Sequence, residues 1–118
     1  MAQSAPFRLP DSPARSDLVA KYFRALGDPT RLRILGLLQD EGELSAGALT
    51  RQLGLAQPKV SNHLACLRWC GFVTTRREHR VVYYRLADQR VTAILDLAQG
   101  LLDENGDQVA ACCRISEA

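Results

Sequence analysis

The chain has no stretch approaching the roughly 20 consecutive apolar residues that cross a bilayer. Residues 1–13, mixed in character and containing proline, lack the apolar core of a secretory signal. A cytoplasmic location is therefore expected, with no membrane partner. There is no internal repeat and no low-complexity tract. A phosphate-cradling glycine loop, a nucleophile elbow and a paired catalytic carboxylate motif are also missing, which argues against an enzyme acting on a small organic substrate. What remains is a hydrophobic fraction of 47% and a charged fraction of 24% over 118 residues, ordinary proportions for one soluble globular domain. A domain of this size buries a modest share of its surface, so an interface with a second copy is a natural source of stability.

The formal net charge of +2 hides a segregation. Residues 51–90 carry eight basic side chains (Arg51, Lys59, Arg68, Arg76, Arg77, Arg80, Arg85 and Arg90) against Glu78 and Asp88, a net of +6. Residues 91–118 hold five acids against Arg114, a net of −4, and residues 1–50 balance at zero. A basic centre between a neutral and an acidic end fits a nucleic-acid face on one part of a domain. The four cysteines, Cys66, Cys70, Cys112 and Cys113, argue in a cytosolic chain against a disulfide framework. They point instead to metal binding, redox chemistry or simple burial.

Residues 1–15 read as a loose arm. From Ser16 the apolar positions Leu18, Tyr22, Phe23 and Leu26 recur at helical spacing, with Ser16 and Asp17 placed to cap the start. Gly27-Asp28-Pro29 stops that helix. Asp28 or Thr30 can cap a second, whose apolar positions are Leu32, Ile34, Leu35, Leu37 and Leu38 and which ends at Gly42. A short third helix from about Ser45 to Leu53 turns Ala48, Leu49 and Leu53 inward and closes at Gly54. A fourth opens at Gln57-Pro58, proline being favoured in a first turn, and runs to about Trp69 with Val60, Leu64 and Leu67 as its inner stripe. Trp69 is expected to pack near the end of this helix, and Gly71 stops it.

The period then changes. Residues 74–77 and 81–85 are rich in β-branched, aromatic and basic side chains, with Glu78-His79-Arg80 as the turn of a basic hairpin. Residues 90–102 are helical again, with Val91, Ile94, Leu95, Ala98, Leu101 and Leu102 on an apolar face broader than a small monomer needs. Asn105-Gly106-Asp107 is expected to break that helix. The division is then an arm over residues 1–15, a domain over 16–104 and a tail over 105–118 that carries Cys112 and Cys113.

Short helix, glycine turn, second helix and basic hairpin come in the order of a winged helix-turn-helix, a mainly α fold with a β-hairpin wing (α+β). A helix fits the major groove of double-stranded DNA and its N-terminal residues reach base edges. Gln57, Lys59, Ser61, Asn62 and His63 cluster in the first turns of the second helix and have donors and acceptors for bases or phosphates. Arg76, Arg77 and Arg80 on the hairpin are placed for the backbone or the minor groove.

Ala25-Leu26-Gly27-Asp28-Pro29-Thr30-Arg31-Leu32-Arg33-Ile34-Leu35, then Leu53-Gly54-Leu55-Ala56-Gln57-Pro58-Lys59-Val60-Ser61-Asn62-His63-Leu64, then Leu67-Arg68 and Gly71-Phe72-Val73 resemble the ArsR/SmtB family of metal-responsive repressors. The likeness spans about residues 18–88. It implies a homodimer built through the first and last helices, bound to a palindromic operator and released by metal. Two departures stand out. Ala56 occupies the position before the recognition helix where serine is usual, so that cap is lost. His79 stands in the wing turn where glycine is common; histidine tolerates a positive φ better than most residues, though less easily than glycine.

Family members place their sensor sites at different points. One arsenic- and cadmium-sensing type has paired cysteines in the helix before the recognition helix, and residues 43–49 here contain none. The zinc-sensing type uses histidines and carboxylates along the last helix, and residues 91–118 have no histidine. What remains is Cys66-Leu67-Arg68-Trp69-Cys70. Residues four apart share a helical face with β-carbons about 6 Å apart, so two thiolates there can share one ion. Cys112 or Cys113 can add a third. This arrangement resembles the CmtR-type cadmium and lead sensors of the family, in which a C-terminal cysteine comes from the other subunit. An all-thiolate site selects soft ions such as Cd(II), Pb(II), As(III) or Hg(II). The alternative on the same fold is a thiol switch, in which the paired cysteines oxidise or react with sulfur species.

Overall fold

In the computed structural model, which describes residues 14–112, five helices and three short strands follow one another. They are α1 (Arg15–Leu26), α2 (Pro29–Glu41), β1 (Leu44–Ser45), α3 (Ala46–Leu53), α4 (Gln57–Trp69), β2 (Val73–Glu78), β3 (Val81–Leu86) and α5 (Gln89–Ala111). Most of the expected N-terminal arm, and Cys113 with the rest of residues 113–118, lie outside the described residues.

Local signals set most boundaries. The Asp28 carboxylate caps α2 by accepting the N–H of Arg31 at 3.1 Å, and the Ser45 hydroxyl caps α3 by accepting that of Ala48 at 3.1 Å. Gly54 closes α3 in the left-handed conformation at φ 68°. For α1 the structure corrects the expectation: the helix starts at Arg15, and Asp17 accepts the Ala14 N–H at 3.3 Å while Ser16 does not cap. The core gathers Ile34, Leu35 and Leu38 from α2, Leu49 and Leu53 from α3, and the inner stripe Val60, Leu64 and Leu67 of α4. Phe72, Val73 and Val91 close it. Leu32, expected inward, is instead 42% exposed.

The sheet runs β1-β3-β2, antiparallel throughout. The hairpin pairs Val73 with Leu86 at its base and Glu78 with Val81 at its tip, so the turn is His79-Arg80 alone and the strands are longer than expected. His79 takes φ 58°, the one positive-φ residue other than glycine among the described residues. β1 was not anticipated. Two residues carry no periodicity, yet Leu44 and Ser45 pair with Tyr84 and Tyr83 and fasten the wing to the start of α3.

At the other end of the chain α5 does not break at Asn105-Gly106-Asp107; it runs on to Ala111. Glycine and asparagine cost a helix only about 1 kcal/mol or less each relative to alanine, and nothing there forbids continuation as proline does. Asn105 Nδ2 donates back to the Leu101 carbonyl at 3.1 Å, and Gln99 donates to Asp103 one turn on. Within α5 only Val91 is buried among the described residues.

Candidate functional site

The residues of α4 and its C-terminal cap Cys70 present three groups of side chains. Val60, Leu64 and Leu67 face the core. Gln57, Lys59, Ser61 and Asn62 are exposed at the N-terminal end, where a recognition helix presents its reading residues. Between them runs a half-buried stripe of His63, Cys66 and Cys70, at spacings of three and seven that share one helical face. Ala56 makes no side-chain cap, so the first N–H groups of α4 have no hydroxyl or carboxylate on them. His63 is placed differently from its exposed neighbours. Its Nδ1 accepts from Nε of Arg31 at 3.1 Å, which anchors the ring to α2.

The wing separates its arginines by strand alternation. Val73, Thr75 and Arg77 share a face with Val82, Tyr84 and Leu86, while Thr74, Arg76 and Glu78 share the other with Val81, Tyr83 and Arg85. Arg77 and Arg80 are exposed. Arg76 is already engaged. Its Nε and Nη2 donate to the two carboxylate oxygens of Glu43 at 2.8 Å, its Nη1 donates to Glu78 at 2.9 Å, and the guanidinium lies 4.7 Å from the Tyr83 ring centroid. The hydrogen bond from Arg76 holds the Glu43 carboxyl below its ordinary range against the opposing effect of burial.

The cysteine pair sits at the other end of α4. Both thiols are half-buried and free, packed against the core. Burial pushes the Cys70 thiol up, and the neighbouring Cys66 pushes the same way. Cys70 opens onto a cleft of about 340 Å³ with walls of Val19, Tyr22, Phe23, Phe72, Val91 and Ile94. Trp69, expected to be packed, is 92% exposed. Cys112 ends α5 in an exposed position. Among the described residues no three His, Cys, Asp or Glu side chains gather as a metal site, so Cys112 does not join Cys66 and Cys70 within one protomer. Cys113 lies outside the described residues.

Over 99 residues the chain is 39% identical to the "Probable mercury resistance operon repressor" of Streptomyces lividans, which spans 84% of this chain and 78% of that one. Residues 28–75 match the family described as bacterial regulatory protein, arsR family. The chain belongs to the ArsR family. It is therefore a DNA-binding transcriptional regulator and not an enzyme. The "HTH-type transcriptional regulator CmtR" of Mycobacterium tuberculosis is 46% identical over 95 residues, 80% of each chain. Among solved structures, the homodimeric winged helix-turn-helix DNA-binding domain of a possible ArsR-family regulator from Mycobacterium bovis superposes with a TM-score of 0.72 at 34% identity. That superposition covers 88% of this chain and 92% of the other. The winged helix-turn-helix expected from the sequence is the fold observed.

Sequence reasoning missed Arg31, Glu43 and Tyr83. The first anchors His63 and the other two hold Arg76, at separations of 32 residues for Arg31–His63 and 33 for Glu43–Arg76. The Cys66–Cys70 spacing was visible in the chain, but not that His63 shares their half-buried face.

Proposed function

We propose that this ArsR-family protein is a homodimeric repressor, acting in the cytoplasm, that holds a palindromic operator until a soft ion binds Cys66 and Cys70. A C-terminal cysteine of the second copy, Cys112 or Cys113, completes the site. The observation that carries this reading is the pair of adjacent half-buried thiols on the flank of the recognition helix. Two sulfurs on one turn suit a thiophilic ion, and the donor set contains no hard oxygen ligand. The exposed end of α5 leaves Cys112 available to another chain. Names of relatives point the same way, one a probable mercury resistance operon repressor and another the regulator CmtR.

Dimerisation has its own support. Tyr22 and Phe23 on α1, with Leu97 and Leu101 on α5, are 49%, 61%, 70% and 64% exposed, and large apolar side chains left this open favour burial against a second copy. Gln57, Lys59, Ser61, Asn62 and His63 then read the major groove while Arg77 and Arg80 take phosphates. Two such heads must fit successive major grooves about 34 Å apart. Bound Cd(II), Pb(II), As(III) or Hg(II) supplies a fixed bridge between thiolates of the two chains, and each ligating thiol gives its proton to solvent. A bridge from α4 to the partner's tail alters the spacing of the reading heads. A coupling of about 1–3 kcal/mol shifts operator affinity roughly 5- to 150-fold.

Oxidation of the Cys66–Cys70 pair is the second reading, favoured by the placement of both free, half-buried thiols one helical turn apart. Burial of Cys70 works against it by lowering the thiolate fraction that reacts with oxidants. Substitution of Cys66 or Cys70 by serine is expected to leave DNA binding intact and abolish the response to metal under anaerobic conditions. Release of the double variant by Cd(II) contradicts the proposal.

A further inference from the structure

Three helices meet at one side chain. Arg31 lies in the first turn of α2, where its backbone N–H donates to the capping carboxylate of Asp28 at 3.1 Å. Its guanidinium reaches in two further directions. Nη1 donates to the Ala25 carbonyl in the last turn of α1 at 3.3 Å, and Nε donates to Nδ1 of His63 in α4 at 3.1 Å. The first bond gives a donor to one of the terminal carbonyls that a helix leaves without an internal partner, on a residue only 5% exposed. The second decides the chemistry of the ring. Arginine Nε can only donate, so Nδ1 accepts and carries no proton, and the neutral imidazole bears its proton on Nε2. An untethered ring offers either nitrogen as donor or acceptor; the tethered one offers a donor alone from Nε2. His63 follows directly on the exposed Ser61 and Asn62, so what holds His63 also holds their register towards a groove.

We propose that Arg31 is a positioning residue for sequence reading: it fixes α4 against the ends of α1 and α2 and holds His63 in the form whose Nε2–H meets an acceptor on the DNA. This rests on the DNA-reading part of the function proposed above and is independent of its metal-sensing part. In the major groove the acceptors are N7 and O6 of guanine, N7 of adenine and O4 of thymine, whereas cytosine presents a donor. Because α1 carries Tyr22 and Phe23 of the proposed dimer face, the same side chain sets the reading helix relative to that face. Two heads must meet grooves about 34 Å apart. An α4 that drifts against α1 therefore loses its match to a palindrome before it loses attraction to phosphates. The effect of Arg31 thus differs in kind from that of Arg77 or Arg80: specificity falls, while sequence-independent binding and its salt dependence stay.

The test uses the full-length chain with Arg31→Lys, Arg31→Gln, His63→Ala and the Arg31→Lys, His63→Ala double variant. Each is titrated in reduced, metal-free buffer with a duplex selected by the wild-type protein from a random pool and with a scrambled duplex of equal length, at several salt concentrations. Nitrogen-15 NMR of the ring in mildly alkaline buffer reports which nitrogen of His63 carries the proton. Wild type is expected to show a protonated Nε2 and a bare Nδ1, and Arg31→Lys a mixture, because an ammonium does not replace a planar fork serving two acceptors. Both Arg31 variants are expected to lose at least about fivefold in preference for the selected duplex, with affinity for the scrambled one and the salt slope unchanged. In the His63→Ala background Arg31→Lys should cost less than about twofold more, since the two residues act through one bond. Equal losses on both duplexes with a slope lowered by about 1 make Arg31 a phosphate contact and overturn the positioning role. Full additivity with His63→Ala, or a wild-type ring protonated on Nδ1, overturns it as well. If the Arg31 variants do not fold, the wild-type ring spectrum and the preference of His63→Ala decide, an unchanged preference overturning the proposal. A wild-type protein that selects no duplex from the pool instead overturns the DNA-reading assignment, and this role with it.

Discussion

Arg76 donates to both oxygens of Glu43 and to Glu78, while its neighbour Arg77 turns to the opposite face of the wing and makes no such ion pair among the described residues. Their contributions to DNA binding should differ accordingly. Arg77→Ala and Arg80→Ala are each expected to weaken binding about equally across sequences and to lower the salt slope by about 1. Arg76→Ala is expected to leave that slope nearly unchanged and lower the thermal midpoint; anisotropy titrations at several salt concentrations, with melting curves, check both. The same ion pair gives a pH signature. Arg76 holds the Glu43 carboxyl low. For Asp28, burial pushes upward, but the backbone N–H groups of Arg31 and Thr30 and the charge of Arg31 more than offset it. A carboxyl lowered by folding stabilises the protein above the ordinary carboxylate range and loses that contribution as pH falls through its folded value. The thermal midpoint should therefore hold down to about pH 5 and drop below about pH 4, less steeply in Glu43→Gln; an equally steep loss in that variant contradicts the assignment. The cysteine spacing was legible in the chain because four residues make one turn. The Glu43–Arg76 pair was not, since β1 creates it from 33 residues away.

Among the elements, the helices that carry the core were legible from periodicity and caps, and the recognition helix was found with its inner stripe intact. The failures have physical causes. β1 is two residues long and exists because β3 offers it an edge, so it leaves no pattern in its own sequence. Asn105-Gly106-Asp107 looks like a turn, but each residue's penalty is small against a helix already propagating. An added β-carbon at Gly106 meets only Leu102 Cδ1, at 3.9 Å. Gly106→Ala should raise the helix content of α5 and stabilise it by about 0.5–1 kcal/mol, seen as higher far-ultraviolet ellipticity and a higher urea midpoint. A loss of helix signal means the segment is not helical in solution. Trp69 was misjudged because an aromatic at the end of an apolar stripe reads as packed, and here the core stripe ends at Leu67.

For the whole molecule, the proposed function places both the DNA-reading assembly and the thiol site across two copies of the chain. The apolar faces of α1 and α5 lie open, and Cys112 stands apart from Cys66 and Cys70. Leu97→Asp with Leu101→Asp, which places charges on the exposed face, is expected to shift sedimentation from dimer to monomer. It should also weaken binding to a palindrome far more than to a half-site; unchanged sedimentation places the interface elsewhere. The most direct measurement is an anaerobic titration of the reduced protein with Cd(II), Pb(II) and As(III). Thiolate-to-metal absorption is followed in the same cuvette as anisotropy of bound DNA. We expect absorption to rise in step with release, more readily at higher pH because the half-buried Cys70 thiol holds its proton, and both to vanish in Cys66→Ser. DNA binding unaffected by every ion, or release that persists in the Cys66→Ser, Cys70→Ser double variant, contradicts a metal switch at this site.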